Sequence, residues 1–389
     1  MSARAAIYLD SNAGAPLRPQ VLEALLPFLQ DPSRIVPNPS SVHSHGRQGR
    51  RALAFAREQI ACSLGSATNP QSVTFTSSGT EANQLAIRSV LEPRLRSERS
   101  PHWILSTVEH DSVLRCVRWL EANGGSVSYL PVAPSGEMLW EELPGLLRPE
   151  TSLVSAIWVN NETGVVSVAP DSIRSALSSR GIPLHGDAAQ AWGKLELSAA
   201  ESGFDHIALS GHKIGALGGI GALWSRDPGS VVSPLFGLQE FERRGGTENL
   251  VGAISLGAAA ACLKPREWSQ EVAISRDRLQ RRVVDRVPGS RVHGGQADHR
   301  IANTLNLGFD GLEKPGLVPA LDLEGYSVSS GSACSSGVEK ASHVLLAMGL
   351  NVGSAKSAIR ISLSEPLSES EEARFVDALS KCVERLRSR

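Results

Sequence analysis

Lys213 closes the segment His206–Lys213 (HIALSGHK), in which an apolar run ends in Ser-Gly-His-Lys. The chain has only seven lysines among its 39 basic residues, so a lysine just past a strand-like run stands out. A primary amine there can form an imine with a carbonyl, which an always-protonated arginine cannot. Taken alone, the tetrapeptide better suits a surface lysine in a Gly-rich turn. Upstream, Pro183–Gln190 (PLHGDAAQ) carries an apolar run into Asp187. An acid in that place either caps a helix or pairs with a pyridinium nitrogen and keeps the ring an electron sink. Further upstream, Val73–Glu81 (VTFTSSGTE) passes from β-branched to small residues and then into a helical segment. Small residues leave backbone N–H groups open at a helix N-terminus, which suits a phosphate. Each signal is weak alone. Phosphate cradle, strand-end acid and strand-end lysine, in that chain order, form the pattern of a pyridoxal 5′-phosphate (PLP) site.

The elements that must position these groups alternate along the chain. Strands are predicted over Val73–Thr76, Trp103–Ser106, Ser126–Leu130, Leu153–Val159, Ile182–Gly186, His206–Ser210 and Gly221–Trp224. Helices are predicted over Glu81–Leu95, Ser112–Asn123 and Asp171–Arg180, the last between Pro170 and Gly181 as start and stop signals. One long Ala/Leu-rich helix is expected from about Gly252 to Val287, linking two domains, with strands over Ile301–Leu307 and Tyr326–Ser329 and an amphipathic helix over Glu369–Leu386. The fold class is α/β: a three-layer α/β/α large domain with a mainly parallel sheet, plus a small C-terminal α/β domain. The large domain is expected over 16–262, and the small one over 263–389 together with the N-terminal segment 1–15.

Composition narrows the function. The 389 residues suit one large and one small domain, and 41% hydrophobic with 20% charged residues is globular. The net charge of −1 has no Lys/Arg block, so neither nucleic acid nor a membrane surface is an expected partner. The start, Met1–Ala6, is too short for a signal peptide core, and no apolar run reaches a membrane span. Five scattered cysteines without a CxxC pair argue against disulfides and zinc, which points to the cytoplasm and to no metal.

Further motifs join the first three: YLDSNAGAP, NPSSVHSHGR, VEHDSV, VNNETGVV, RRGGTEN, SVSSGSACSSG and SAIRISL. With SSGTEANQLAI, HGDAAQAWGK and SGHK, they span nearly the whole length. The chain resembles the cysteine desulfurases of the NifS/IscS type, in the class V aminotransferase group of fold-type I PLP enzymes. SSGSAC together with SGHK resembles the branch with a long cysteine loop. The resemblance implies removal of sulfur from L-cysteine, giving L-alanine and a persulfide on Cys334. It also implies Lys213 as the Schiff-base lysine, Asp187 as partner of the pyridinium, and His110 as a ring-stacking proton shuttle. Gln190 would bond the ring oxygen, and Asn161 would position ring and substrate. Gly79, Thr80, Ser210 and His212 would hold the phosphate. Thr247 would reach the phosphate of the neighbouring subunit, implying a homodimer, and Arg360 would bind the substrate carboxylate with Asn38 nearby. Without the resemblance, His110 also suits a core histidine, Arg360 a surface ion pair and Cys334 a small buried hydrophobe.

Rival readings are another class V PLP enzyme, either an aminotransferase or a selenocysteine lyase, and a non-catalytic PLP-fold subunit of a sulfur relay. Departures from the family pattern are Gly14 and Ala15 in place of threonines, Leu217-Gly218 in place of Pro-Lys, and Ser364 in place of glycine. They suggest a divergent branch. The chain also stops soon after its last helix, where relatives that dock an iron–sulfur scaffold often carry a longer tail. Sulfur could pass to an acceptor protein in iron–sulfur cluster assembly, tRNA thiolation, DNA phosphorothioation or cofactor synthesis. The Ser/Gly-rich stretch around Cys334 reads as a mobile arm.

Overall fold

A computed structural model describes residues 6–31, 38–97, 100–312, 316–330 and 340–388. Its larger sheet has seven strands in the order Val73–Thr76, Gly221–Ser225, His206–Ser210, Leu184–Asp187, Thr151–Ile157, His102–Ser106 and Ser126–Leu130. Gly221–Ser225 is antiparallel to both its neighbours, and the other strands all run one way. Side chains alternate between the faces as the two-residue period requires. On His102–Ser106, Ile104 joins one apolar cluster while Trp103 and Leu105 join another on the opposite face. The helices Pro19–Gln30, Ser44–Ser63 and Leu250–Ala261 contribute to the first cluster, and Gly79–Arg96 and Asp111–Ala122 cover the second face. The result is the expected three-layer α/β/α arrangement.

A second core lies elsewhere. The antiparallel strands Ser290–His293, Thr304–Phe309 and Ile359–Ser362 form a three-stranded sheet, with Thr304–Phe309 central. Leu279, Leu305, Ile361, Phe375 and Leu379 pack there, and Leu9 from the start of the chain joins them. Ile7–Tyr8 pairs in parallel with Tyr326–Ser327, which draws the N-terminal segment across.

Most expected elements fall within two residues of those observed, but three readings need correction. The single helix expected over about Gly252–Val287 is two, Leu250–Ala261 and Pro265–Arg286. Proline crowds the residue before it out of helical geometry, and Lys264 is at φ −132°, ψ 67°. The strand expected over Ile301–Leu307 is Thr304–Phe309, because Ile301 bonds outside the ladder, its N–H to the Gly164 carbonyl and its own carbonyl to Arg276. The strand expected over Tyr326–Ser329 ends at Ser327. Among the described residues, no helix is long and apolar enough to cross a membrane.

Candidate active site

Five co-directional strands release their chains on one edge of the large sheet, the edge where open α/β sheets bind ligands. The turns that follow hold Ser77–Thr80, Thr107–His110, Trp158–Asn161, Asp187–Gln190 and Gly211–Lys213. They surround a cavity of about 770 Å³, which Asp10, Ser329 and Arg360 close from the side of the second core and His343 closes from the first. Of the sequence-predicted residues, Gly79, Thr80, His110, Asn161, Asp187, Gln190, Ser210, His212, Lys213 and Arg360 line it.

Two others, Asn38 and Thr247, do not. Asn38 is exposed, and its side-chain oxygen accepts from the Ser40 N–H at 2.9 Å within its own turn. Thr247 is exposed, next to Gly246. Cys334 lies outside the described residues, as does the stretch read as a mobile arm. Ser329 and Lys340, on either side of that stretch, both line the cavity.

At the lysine turn, Gly211 has no room for a side chain: a Cβ would sit 2.9 Å from the Ile220 carbonyl oxygen. The Lys213 amine donates to the carbonyls of Asn12 at 2.6 Å and Ala13 at 2.9 Å. Burial, helped by nearby Arg360, lowers its pKa to about 8, against the pull of Asp10 and Asp187. Such an amine is a far better nucleophile near neutrality than a surface lysine.

Asp187 is buried at the end of its strand, with both oxygens held by N–H donors. Oδ1 accepts from the Ala189 N–H at 2.9 Å, and Oδ2 from Asn83 Nδ2 at 2.8 Å. Gln190 donates to the Asn12 carbonyl and accepts from Lys194 Nζ. Burial pushes Lys194 well below the ordinary lysine range, with Lys213 and Arg360 adding to the effect.

At the other end, the helix Gly79–Arg96 opens on the cavity, and Ser78 caps it by accepting from the Glu81 N–H. A Cβ on Gly79 would stand 3.0 Å from that of Ser210, so any side chain there would push the two chains apart by a few tenths of an ångström. Ser210 Oγ and His212 Nδ1 are 3.1 Å apart. Burial, then Lys213 and His110, lower the His212 pKa to about 4.

Arg360 donates through Nη2 to Asp10 Oδ1 at 2.6 Å and through Nη1 to the Asn161 carbonyl at 3.0 Å. Its Nε is buried with no hydrogen-bond partner among the described residues. Of two buried glutamates nearby, Glu162 lines the cavity and Glu109 lies behind it, next to His110 in the chain. The Glu162 carboxyl accepts from Ser342 Oγ at 2.5 Å, and burial raises its pKa. Burial likewise raises Glu109 to about 8, and Asp187 adds to it.

Sequence reasoning missed Asn83, Glu162, Ser342, His343 and Asp10. For Asn83 a signal existed: it lies four residues after Gly79, on the face of the helix that buries Ala82 and Ala86. A polar residue on that face needs a partner.

The arrangement fits PLP. One cavity, of a size usual for cofactor sites, combines a helix N-terminus flanked by hydroxyls, a buried carboxylate and a buried amine with a lowered pKa.

Comparisons with known proteins agree. The profile described as "Aminotransferase class-V" matches residues 7–374. A "Cysteine desulfurase" of Trichormus azollae is 39% identical over 386 residues, covering 98% of this chain and 94% of the relative. Among solved structures, a "NIFS-LIKE PROTEIN" superposes with a TM-score of 0.87 at 27% identity, over 98% of this chain and 100% of that one. "SspA in complex with cysteine" superposes with a TM-score of 0.80 at 31% identity, over 93% of this chain and 99% of that one. With family match, relatives and cavity in accord, the chain belongs to the class V aminotransferase family, in its branch of PLP-dependent cysteine desulfurases.

Proposed function

We propose that this enzyme takes sulfur from L-cysteine onto Cys334 and passes it to an acceptor protein. The carrying observation is the convergence of Lys213, Asp187, His110 and Arg360 on one cavity, with Ser329 and Lys340 bringing both ends of the cysteine segment to it. When bound, PLP supplies an electron sink for charge developing at the substrate α-carbon. Lys213 would hold the cofactor, Asp187 would set a carboxylate against its ring nitrogen, and Gln190 and Asn161 would orient the ring. Gly79, Thr80, Ser210 and His212 would take the phosphate. Arg360 turns its guanidinium from Asp10 to the substrate carboxylate, a fork for a fork. The Cys334 thiolate attacks the substrate sulfur. As the S–S bond forms, the Cβ–S bond breaks, its electron pair stays on Cβ, and Cβ takes up a proton. L-cysteine and the Cys334 thiol thereby become L-alanine and a Cys334 persulfide.

The same reading makes the enzyme a cytoplasmic homodimer, with Thr247 on the partner's phosphate and Asn38 near the substrate. Apolar side chains left exposed close to Thr247 in sequence support this: Phe236 is 87%, Leu238 81% and Phe241 52% exposed. It also divides the chain into 16–262 and 263–389 with 1–15, a division supported by the separate core around Leu9, Leu305 and Phe375.

The test is to incubate purified protein with L-cysteine and quantify alanine and protein-bound persulfide. Equal amounts of both are expected, and Cys334→Ser should form neither beyond background. Full alanine production by that variant under reducing conditions would remove Cys334 from the reaction.

A further inference from the structure

Behind Asp187 runs a file of buried polar side chains that the sulfur chemistry does not use. It begins at Trp103, whose indole N–H can only donate. That N–H is 2.9 Å from Ser155 Oγ, so Ser155 accepts there and keeps its own proton to give to His185 Nδ1 at 3.1 Å, the direction that the orientation of Asn83 against Asp187 requires. The neutral His185 ring then carries its proton on Nε2, which donates to Asn83 Oδ1 at 3.0 Å. Burial holds that ring neutral, with its pKa lowered to about 3. Asn83 has no freedom left. Its oxygen faces His185, and Nδ2 donates to Asp187 Oδ2 at 2.8 Å and to Ser112 Oγ at 2.9 Å. The reverse amide orientation would press an oxygen against the carboxylate.

Ser112 Oγ accepts from Asn83 and spends its own proton on His110 Nδ1, 2.8 Å away. A second bond acts in the same sense. His110 caps the helix Asp111–Ala122, and its Nδ1 accepts the Ser112 backbone N–H at 3.1 Å. Two donors aimed at one nitrogen leave no place for a proton on it.

We infer that Trp103, Ser155, His185, Asn83 and Ser112 form a one-way hydrogen-bond relay that holds His110 as the Nε2-protonated tautomer, with Asn83 the residue that ties it to Asp187. The ring therefore offers an N–H to the cavity, not a lone pair, and His110 enters the reaction as a proton donor. This rests on the reading of His110 and Asp187 as groups of the active site. Asn83 and the residues behind it are positioning residues, acting through His110 and Asp187.

The relay can be tested without turnover. In protein labelled with ¹⁵N-histidine, ¹⁵N–¹H correlation spectra should show both His110 and His185 protonated on Nε2, with and without PLP. Asn83→Asp reverses the central link. Beside Asp187 the new carboxyl shares a proton with that carboxylate, and its oxygen accepts where the Asn83 amide donated to Ser112. It therefore draws the Ser112 hydroxyl proton away from His110, leaves only the Ser112 backbone N–H on Nδ1, and should raise the Nδ1-protonated fraction of that ring. In the PLP-loaded enzyme, kcat for alanine formation should fall about tenfold, the scale of one hydrogen bond, with KM little changed. A proton on Nδ1 of either histidine in the unaltered protein overturns the relay, whether or not the variant folds. So does an unshifted His110 in a folded Asn83→Asp variant. A protein with the expected tautomers that makes no alanine would sink the desulfurase reading and leave the relay standing.

Discussion

Lys213 and Arg360 are two cations in one cavity, and their nearness sets measurable behaviour. Only the neutral amine attacks a carbonyl, and the Lys213 pKa is lowered to about 8, first by burial and then by Arg360. Below that value the neutral fraction grows tenfold per pH unit, and above it the fraction saturates. The rate at which cofactor-free protein takes up PLP should therefore rise with pH and level off just above 8, not near 10.5; stopped-flow absorbance would follow it. Arg360→Lys keeps the positive charge but loses the planar fork. It should leave that midpoint nearly in place while raising KM for L-cysteine about tenfold or more, the scale of one charge-assisted hydrogen bond. A KM unchanged in that variant would take Arg360 out of carboxylate binding.

Among the elements, the pairing of helix Pro265–Arg286 with helix Glu369–Arg387 turns on one acid. Glu372 is fully buried, and its carboxylate accepts from Arg278 Nε at 2.6 Å, Arg278 Nη2 at 2.8 Å and Ser275 Oγ at 2.9 Å. Ser275 in turn accepts the Leu367 N–H just before the second helix begins. Removing Glu372 leaves the buried Ser275 hydroxyl without its acceptor and frees the partly exposed Arg278 to water, which costs about 1 kcal/mol or more. Glu372→Ala should lower the urea midpoint of the unfolding step that includes these helices while leaving the cofactor spectrum of the folded enzyme unchanged. A midpoint within error of the parent's would show that the helices are held by their apolar contacts alone.

At the scale of the whole molecule, the cavity of one chain lacks two residues that the family pattern assigns to it, Thr247 and Asn38. The proposed homodimer would account for Thr247, and Phe236, Leu238 and Phe241 are exposed apolar surface that such a partner would cover. Phe236→Asp should shift the dimer toward monomer in light scattering and weaken PLP retention in parallel. Thr247→Ala should leave the dimer intact and weaken PLP retention alone, by about 1 kcal/mol or more for a hydrogen bond to a charged group. A fully active monomer at low concentration would contradict both.

By itself the sequence determined the layered α/β class and the motifs whose residues meet in one cavity. Each of those signals is local. A short apolar run makes a strand, a glycine turns it, and the residue delivered at the turn is within a few positions of the run that carries it, as with Asp187 and Lys213. Only the tertiary structure decided the partners. Asp10 meets Arg360 across 350 positions, and Asn83 meets Asp187 across 104. Nothing near either residue in sequence announces its counterpart, because a buried polar group is satisfied by whatever packing brings to it, not by its neighbours in the chain. The same holds for His110: its place at a helix start is written in VEHDSV, but which nitrogen bears the proton is settled by a file of side chains drawn from five separate elements and made contiguous only by the stacking of helices on the sheet.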